Sequence, residues 1–283
     1  HLHEVLLATG AVTRDDHDPK RQGWLPTARG GAVVALGGGF SLRSAGYLGW
    51  RMPTLNELFR PFRAGADATA ANPDLKPEKL AGAEAGAEFV HGGLRLTATG
   101  FVNRLKDAIA NVTLGEGPGI FPGVGFVGAG GTYGQRQNIG AVDVRGIEAA
   151  ADWTSGPWHL GAGVSLTHAR VHDRGAAQQL DGLRPAETPR VAATLSAGWQ
   201  KLGKSFDVVV RRVGAQFDDD LNTRTLKAAT TLDASAAWPL SRRVQLVARG
   251  ENLTDALVEA GINGDESVER ATPRTLWLGV RLR

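Results

Sequence analysis

The sequence predicts an all-β fold, an antiparallel transmembrane β-barrel of which about 12 strands are present. Three features of the 283 residues support this prediction. Apolar and polar residues alternate with a period of two, short Gly-rich turns alternate with long polar connections, and tryptophans stand beside several short turns. A period of two is the pattern of a strand with one apolar and one polar face, and it fits a helix poorly.

The predicted strands follow one another along the whole chain. Residues 1–13 are predicted to form the first strand and residues 14–26 the first long loop. The clearest later alternation covers residues 81–89, 147–153, 158–166, 191–199, 232–238, 244–248 and 276–282. Several strands extend over about 10 residues, which is enough to cross a bilayer at a tilt. Strands of a soluble β-sandwich, the main alternative, average nearer to about 5–6 residues.

The connections between the strands alternate between short and long. Tight turns are predicted at residues 37–39, 91–93, 155–157, 201–204 and 239–241. Long loops are predicted at residues 51–77, 107–138, 171–188, 215–227 and 251–272. Since the strands of successive hairpins run in opposite directions, the short turns lie at one end of the sheet and the long loops at the other, as in bacterial outer-membrane barrels.

The two faces of the predicted sheet differ in chemistry. Trp153 and Trp158 bracket one short turn, and Trp199 and Trp238 precede the next two, which fits an aromatic girdle at one membrane interface. The polar face is predicted to carry Glu84, Glu88, Glu148, Asp152, His159, Thr194, Asp233, Gln245 and Arg249. So polar a face suits a water-filled lumen better than the packed core of a sandwich.

Composition excludes several other classes of protein. The chain has no cysteine, which excludes a disulfide scaffold and a thiolate metal site. Its net charge of +3 is spread without a basic tail or stripe, so no nucleic-acid partner is expected. No run of about 18 apolar residues occurs, and therefore no transmembrane helix is predicted.

No catalytic, metal or cofactor site is predicted. Residues 123–128 match G-x-G-x-x-G but lie in a Gly-Pro-rich loop without the βαβ unit that dinucleotide binding requires. His168 and His172 have a helical metal-ligand spacing on a predicted strand, and the aspartates at residues 218–220 are interpreted as a solvated loop rather than a calcium site. Because no nucleophile motif or P-loop occurs either, we expect no enzymatic activity and no cofactor.

Five strings in order resemble the C-terminal half of the barrel of TonB-dependent outer-membrane receptors. They are residues 51–59 (RMPTLNELF), 72–78 (NPDLKPE), 144–148 (VRGIE), 251–255 (ENLTD) and 273–279 (PRTLWLG). The motif residues that we expect to have structural roles are Pro53, Glu57, Pro77, Glu78, Gly146, Glu148 and Asn252. Pro53 is expected to end a strand and Pro77 to set the entry of the next, with an ion pair between Arg51 and Glu78 across the loop base.

The resemblance implies active uptake of a scarce ligand, such as a ferric siderophore or cobalamin, through the bacterial outer membrane, with energy from the TonB complex. In that family a barrel of about 22 strands encloses an N-terminal plug. Residues 1–283 are therefore expected to be the C-terminal portion of a barrel, with the plug and the TonB-contacting segment absent. The expected partners are outer-membrane lipid, a small-molecule or metal-chelate ligand and, through the missing N-terminal part, the TonB complex.

Ligand contacts are expected in the outer loops. Because ferric siderophores are often anionic and carry planar groups, the candidates are the basic and aromatic loop residues Arg51, Arg60, Arg63, Tyr133 and Arg136. The alternative function is that of an autotransporter-type translocator with about 12 strands, a secretion and anchoring barrel. Such barrels thread a helix through the pore, whereas residues 1–13 are predicted to be a strand, and the five strings favour the receptor.

Overall fold

The computed structural model describes residues 2–6, 11–16, 21–175, 177–263 and 266–282. Its strands are β1 (Leu2–Leu6), β2 (Ala11–Asp16), β3 (Ala28–Gly37), β4 (Phe40–Arg51), β5 (Phe62–Ala64), β6 (Asp67–Ala70), β7 (Glu78–His91), β8 (Leu94–Glu116), β9 (Gly119–Phe121), β10 (Gly125–Val127), β11 (Thr132–Ser155), β12 (Trp158–His172), β13 (Val191–Lys201), β14 (Lys204–Val213), β15 (Gln216–Phe217), β16 (Thr225–Leu226), β17 (Ala229–Pro239), β18 (Val244–Glu251), β19 (Glu259–Ile262), β20 (Val268–Arg270) and β21 (Thr275–Leu282). One short α-helix, α1 (Leu55–Phe59), and a 3₁₀ turn at Gln178–Leu180 complete the regular structure of this part of the chain. Among the described residues, no helix has the length and apolarity that crossing a bilayer would require.

The long strands form one antiparallel meander. Their order across the sheet is β3-β4-β7-β8-β11-β12-β13-β14-β17-β18-β21, so each strand pairs with the next long strand in the chain. Turns of two to four residues join every second pair, whereas the other connections, at residues 52–77, 117–131, 173–190, 214–228 and 252–274, are long. This arrangement confirms the predicted hairpins. Strands β3 and β21 lie at opposite edges of the sheet and do not pair with each other.

The predicted first strand is wrong. Within residues 1–13 the described part of the chain forms β1 and the start of β2, which pair with each other in a separate hairpin, and residues 14–16 belong to β2 rather than to a loop. The predicted strand thus contains a reversal of chain direction, and residues 7–10 between its halves lie outside the described residues. The main sheet accordingly begins at β3.

The predicted loop at residues 107–138 is also wrong in its extent. Strands β8 and β11 continue through most of it and pair with each other as far as Glu116 and Thr132, so that only residues 117–131 connect them. The two strands hydrogen-bond to each other beyond the ends of their neighbours, and β6 adds to β11 as a parallel strand. Cross-strand pairing therefore extends the sheet where the local sequence, rich in Gly, Asn and Thr, resembles a loop.

The sheet exposes its apolar face and carries the tryptophans near the short turns. On β21 the alternate residues Leu276, Leu278 and Leu282 are each at least 68% exposed. At the short-turn end Trp158 lies opposite Trp199, which in turn lies opposite Phe206 on β14. Rows of exposed aliphatic side chains that end in aromatic rings suit contact with the hydrocarbon core of a membrane, with the rings at the membrane–water interface near the short turns.

The main buried cluster lies at the other end, beneath the long connections. It consists of Ala108, Val112, Ile139, Val142, Ala169, Val171, Ala177 and Leu180. Ala177 and Leu180 come from the connection between β12 and β13, which folds back onto the sheet. The long connections are therefore packed structures with a small apolar core of their own. They position the residues of the candidate functional site.

Candidate functional site

The long connection after β4 is tied to the sheet by one arginine and two glutamates. Arg51, the last residue of β4, donates its Nε–H to Glu78, the first residue of β7. Its Nη1 and Nη2 groups lie 2.9 and 3.0 Å from the two carboxylate oxygens of Glu57. The predicted ion pair between Arg51 and Glu78 is confirmed, and it is half of a fork in which the planar guanidinium bridges two carboxylates.

Glu57 also fixes the start of α1. The backbone N–H of Glu57 donates to Thr54 Oγ1 at 3.2 Å, while Thr54 N–H donates back to Glu57 Oε2 at 2.7 Å, which makes a capping box. Desolvation alone would raise the pKa of Glu57, but the hydrogen bonds from Arg51 and Thr54 outweigh it and lower that pKa. Pro53, two residues after the end of β4, precedes this helix, and Pro77 precedes β7, as expected of residues that stop ladder pairing.

Two asparagines and Arg136 hold the rest of this connection. Arg136 donates from Nη1 to the carbonyl oxygens of Asn56 and Arg60, both at 2.7 Å, and so caps the end of α1. Asn72 donates to the Arg136 carbonyl at 2.9 Å. Asn138 exchanges two bonds with the Lys76 backbone and donates a third, at 2.7 Å, to Asp107 O. No local signal in the sequence marks Asn138, since its partner Lys76 is 62 residues away.

Of the five residues predicted to contact the ligand from outer loops, Tyr133 and Arg136 lie instead on strand β11, and Arg51 is the last residue of β4. Most of the five are engaged within the protein. Arg51 and Arg136 have the partners described above, and Arg63 donates to the carbonyl oxygens of Val124 and Phe126 at 2.5 and 2.8 Å. Tyr133 is 8% exposed and stacks on Phe121, with ring centroids 4.6 Å apart. Arg60 is exposed, and its guanidinium has no partner among the described residues.

A cavity of about 800 Å³ opens on the polar face of the sheet beneath these connections. Its floor is the apolar cluster that includes Val112, Ile139 and Val171. The charged groups that line it are Asp67, Glu78, Glu116, Glu187, Asp218, Asp219, Asp220, Arg184 and Arg224. Seven carboxylates and two arginines line it, and the charge of one carboxylate, Glu78, is balanced from outside the lining by Arg51, so the cavity remains negative.

The three consecutive aspartates of this lining organise the loop between β14 and β17. Asp219 accepts bonds from the N–H groups of Thr223 and Arg224, and Asp220 accepts from the N–H and hydroxyl of Thr113 at 2.9 and 2.8 Å. Asp218 accepts from Ile262 N–H at 3.1 Å, and burial raises the pKa of its carboxyl. Within the described part of the chain, no group of three or more His, Asp or Glu side chains is arranged to hold a metal ion.

The remaining motif residues, Asn252, Gly146 and Glu148, also occupy defined positions in the sheet or directly beside it. Asn252 is 5% exposed and has a φ of +48°, and its side-chain amide exchanges two bonds of 2.9 Å with the backbone of Ala256. A Cβ at Gly146 would lie 2.5 Å from both the carbonyl oxygen of Leu166 and the ring of Phe101, so the glycine makes room for its two neighbouring strands. Glu148 lies exposed on the polar face, where it lines a hollow with Arg43 and Thr99.

Comparison with known proteins agrees with this architecture. The family model described as TonB dependent receptor-like, beta-barrel matches residues 6–253. The vitamin B12 transporter BtuB of Photobacterium profundum is 25% identical over 211 residues, which are 73% of this chain and 30% of that protein. The copper transporter OprC has a similar structure, with a TM-score of 0.72 at 19% identity over 99% of this chain and 42% of OprC.

A further solved structure is similar over most of the chain. The ferric yersiniabactin uptake receptor FyuA from Yersinia pestis gives a TM-score of 0.64 at 20% identity and covers 90% of this chain and 36% of that receptor. The chain thus spans less than half the length of each of these relatives. The family match also decides against an autotransporter-type translocator. With the family model covering most of its length, the chain belongs to the TonB-dependent receptor family, as part of its β-barrel domain.

Proposed function

We propose that the protein is an outer-membrane receptor of the TonB-dependent class, which takes up a scarce ligand and is not an enzyme. Residues 1–283 form the C-terminal portion of its barrel wall, and the plug and the segment that contacts TonB belong to the rest of the protein. The observation that carries the proposal is the meander of strands whose long connections fold together over a cavity on the polar face. Family membership supports the same function.

The charges of that cavity bear on the class of ligand. Carboxylates outnumber arginines in the lining, so a ferric siderophore with several negative charges would meet repulsion. A cobalt corrinoid of the cobalamin type, which is close to neutral, meets no such penalty. The similarity to a vitamin B12 transporter points in the same direction, and we therefore propose a corrinoid as the ligand.

The five candidate residues divide into four that hold the long connections in place and one that remains available. Arg51, Arg63, Tyr133 and Arg136 hold the connections in place through the contacts described above. Arg60, at the end of α1, is exposed, and the described residues offer its guanidinium no partner. We assign Arg60 as the ligand contact among the five, with the amide or phosphate oxygens of the corrinoid as its acceptors.

Uptake and binding assays test the two parts of the proposal separately. The full-length protein that contains residues 1–283, here called the encoded protein, is expressed in a bacterial host that lacks its own cobalamin receptor. Uptake of labelled cyanocobalamin is then measured with and without a functional TonB gene. We expect uptake that depends on TonB. Uptake that is absent, or that persists without TonB, contradicts the receptor proposal.

The ligand class is tested with purified protein. Cyanocobalamin and ferric enterobactin are titrated against the encoded protein in detergent, and the Arg60→Gln variant is compared with Arg242→Gln, which removes an arginine from a short turn. We expect cyanocobalamin to bind more tightly, and only Arg60→Gln to weaken it. Preferential binding of ferric enterobactin would overturn the corrinoid assignment and leave the receptor function intact.

A further inference from the structure

One arginine that lines the cavity on the polar face is not engaged by the protein. Arg184 lies in the connection between β12 and β13. The other arginine of the lining, Arg224, donates from Nη1 to Asp67 Oδ2 and to the Ile262 carbonyl oxygen, both at 3.3 Å. The Arg184 guanidinium has no hydrogen bond or ion pair within the part of the chain that the structure describes. Its positive charge is therefore not neutralised by a direct contact with these residues.

The backbone of Arg184 is fixed by an asparagine of the neighbouring connection. Asn222 Oδ1 accepts the Arg184 N–H at 2.9 Å, and Asn222 Nδ2 donates to the Arg184 carbonyl oxygen at 2.8 Å. Asn222 has a φ of +59°, a conformation that asparagine tolerates better than most residues, and its Nδ2 also lies 3.3 Å from the Asp220 carbonyl oxygen. The asparagine thus ties residues 173–190 to residues 214–228 and fixes the point from which the Arg184 side chain extends.

An aromatic ring supports the side chain of Arg184. Its Cζ atom lies 4.5 Å from the centroid of the Phe217 ring, which makes a cation–π contact. Phe217 is held in turn through its carbonyl oxygen, which accepts the Glu187 N–H at 2.7 Å. Contact with a ring uses the face of the planar guanidinium, whereas the N–H donors lie in its plane. The donors of Arg184 therefore stay available to an acceptor in the cavity.

The electrostatic surroundings of the Arg184 guanidinium are positive, although the cavity as a whole is negative. Burial, followed by the charges of Arg190 and Arg170, lowers the pKa of Arg184. Most carboxylates of the lining already accept hydrogen bonds from the protein, namely Asp67, Glu78, Asp218, Asp219 and Asp220. An anionic group of a ligand beside Arg184 would therefore offset both its desolvation and its repulsion by the two other arginines.

We propose that Arg184 anchors the ligand by binding a phosphodiester, a group with one negative charge. This inference rests on the proposed function, since cobalamin carries a single phosphodiester in its nucleotide loop. The paired N–H donors of a guanidinium match the two non-bridging oxygens of such a group. One unpaired arginine in a negative cavity suits one negative charge, whereas a ligand with several would leave most of them facing carboxylates. Assigning the phosphodiester to Arg184 leaves the amide oxygens of the corrinoid to Arg60.

Titrations of the encoded protein in detergent test this contact with two probes. Cyanocobalamin carries the phosphodiester, whereas dicyanocobinamide has the same corrin ring without the nucleotide loop and its phosphate. We expect Arg184→Gln to weaken binding of cyanocobalamin about tenfold and to leave binding of dicyanocobinamide unchanged. Arg184→Lys should have an intermediate affinity for cyanocobalamin, because the lysine ammonium keeps the charge but lacks the planar fork of donors.

The matched control is Arg174→Gln. Arg174 is exposed in the same connection and does not line the cavity, so the substitution removes the same charge without removing the proposed contact. This variant should bind both corrinoids like the parent protein. Unchanged binding of dicyanocobinamide also verifies that Arg184→Gln keeps the cavity folded, because both probes share the corrin ring.

Several results would overturn the inference. Equal weakening of both corrinoids in Arg184→Gln would make Arg184 a structural residue of its connection, and unchanged binding of cyanocobalamin would place the phosphodiester elsewhere. An equal loss in Arg174→Gln would reduce the effect to long-range charge. All three results leave the proposed receptor function intact. A parent protein that binds neither corrinoid would instead overturn the proposed ligand, and the Arg184 contact with it.

Discussion

Replacing Arg51 by methionine is expected to release the connection of residues 52–77 from the sheet. The guanidinium donates one bond to Glu78 and two to Glu57, and Glu57 in turn caps α1. Methionine keeps much of the side-chain volume but removes every donor. Both carboxylates then lose their counter-charge, and Glu78 retains only its bond from Ile109 N–H, 2.7 Å long.

The size of the effect follows from how far each carboxylate is shielded from water. The Glu78 side chain is 7% exposed, so loss of its partner should cost about 2 kcal/mol. The bonds to Glu57 are worth less, about 1 kcal/mol together, because the Arg51 side chain is 44% exposed and the pair is screened. A total of about 3 kcal/mol corresponds to local opening that is on the order of 100-fold more frequent.

Hydrogen exchange measured by mass spectrometry on the encoded protein in detergent reports this opening directly. Peptides from residues 52–77 should exchange on the order of 100-fold faster in Arg51→Met, and by an intermediate factor in Arg51→Lys, whose ammonium lacks the planar fork. Arg95→Met is the matched control, since Arg95 pairs with Glu88 at 2.6 Å on the same face near a short turn. It should leave exchange of residues 52–77 unchanged.

Parental exchange rates for residues 52–77 in Arg51→Met would refute the reasoning, since the connection would then be held by Asn72, Asn138 and Arg136 alone. An equal acceleration in Arg95→Met would refute it differently, by showing that any lost ion pair loosens the whole sheet.

Three further predictions concern pH, packing and closure. Hydrogen exchange of residues 52–77, corrected for intrinsic rates, should accelerate as the pH falls through the lowered pKa of Glu57. A carboxylate whose pKa is lowered in the folded state stabilises the fold above its unfolded pKa of about 4.3. That stabilisation is lost as the pH falls through the folded pKa. Glu57→Gln should abolish this pH dependence, and its persistence would assign the effect to another group. Gly146→Ala should lower the free energy of unfolding of the encoded protein by about 1–3 kcal/mol in urea titrations, because the added Cβ would collide with the Leu166 carbonyl oxygen and the Phe101 ring. Gly163→Ala, which has no atom within 4 Å of its added Cβ, should not have this effect. Equal effects of the two substitutions would show that the conformational freedom of glycine, rather than these two contacts, matters. The 283-residue chain alone should not show the heat-modifiable gel mobility of a closed barrel. Its edge strands β3 and β21 would leave unpaired backbone groups in lipid, at a cost of several kcal/mol each. Heat-modifiable mobility of the refolded chain would contradict this prediction.

The strand order could be predicted from the sequence because its signals are local. Alternation with a period of two defines the faces of each strand, and glycines at the turns define where the chain reverses. Gly93 shows why: its φ is +82°, and a Cβ would collide with the carbonyl oxygen of Thr154 on the neighbouring strand. A hairpin meander needs nothing beyond these two local signals.

The extension of β8 and β11 could not be predicted, because it depends on a change of face in mid-strand. Up to Lys106 the even-numbered residues of β8 lie on the exposed apolar face, yet Ala108 and Val112 are buried with the inner cluster. The switch occurs at Asp107, whose φ is +51° and whose carbonyl accepts a bond from Asn138. A period that breaks at one residue resembles a loop in the sequence, although both sides of the break are strand.

The acceptors of the candidate ligand-binding arginines could not be predicted from the sequence, for a different reason. Arginine in a loop has the same donor geometry whether its acceptor is a bound anion or a carbonyl oxygen of the protein. Arg136 and Arg63 bind carbonyl oxygens that lie more than 60 residues away in sequence, and no local pattern marks such partners. The sequence therefore indicates which arginines lie in or beside the long connections but not which acceptors they bind.

The face switch at Asp107 separates two surfaces that are built on the same strands. Below it, the outward positions of β8 and β11 include Arg104 and Arg145. Above it, Val112 and Ile139 form the floor of the cavity beneath the long connections. Because the two surfaces lie on opposite faces and at different heights, substitution of Arg104 or Arg145 should leave the affinity for cyanocobalamin unchanged. A change in that affinity would mean that the two surfaces are coupled through the face switch at Asp107.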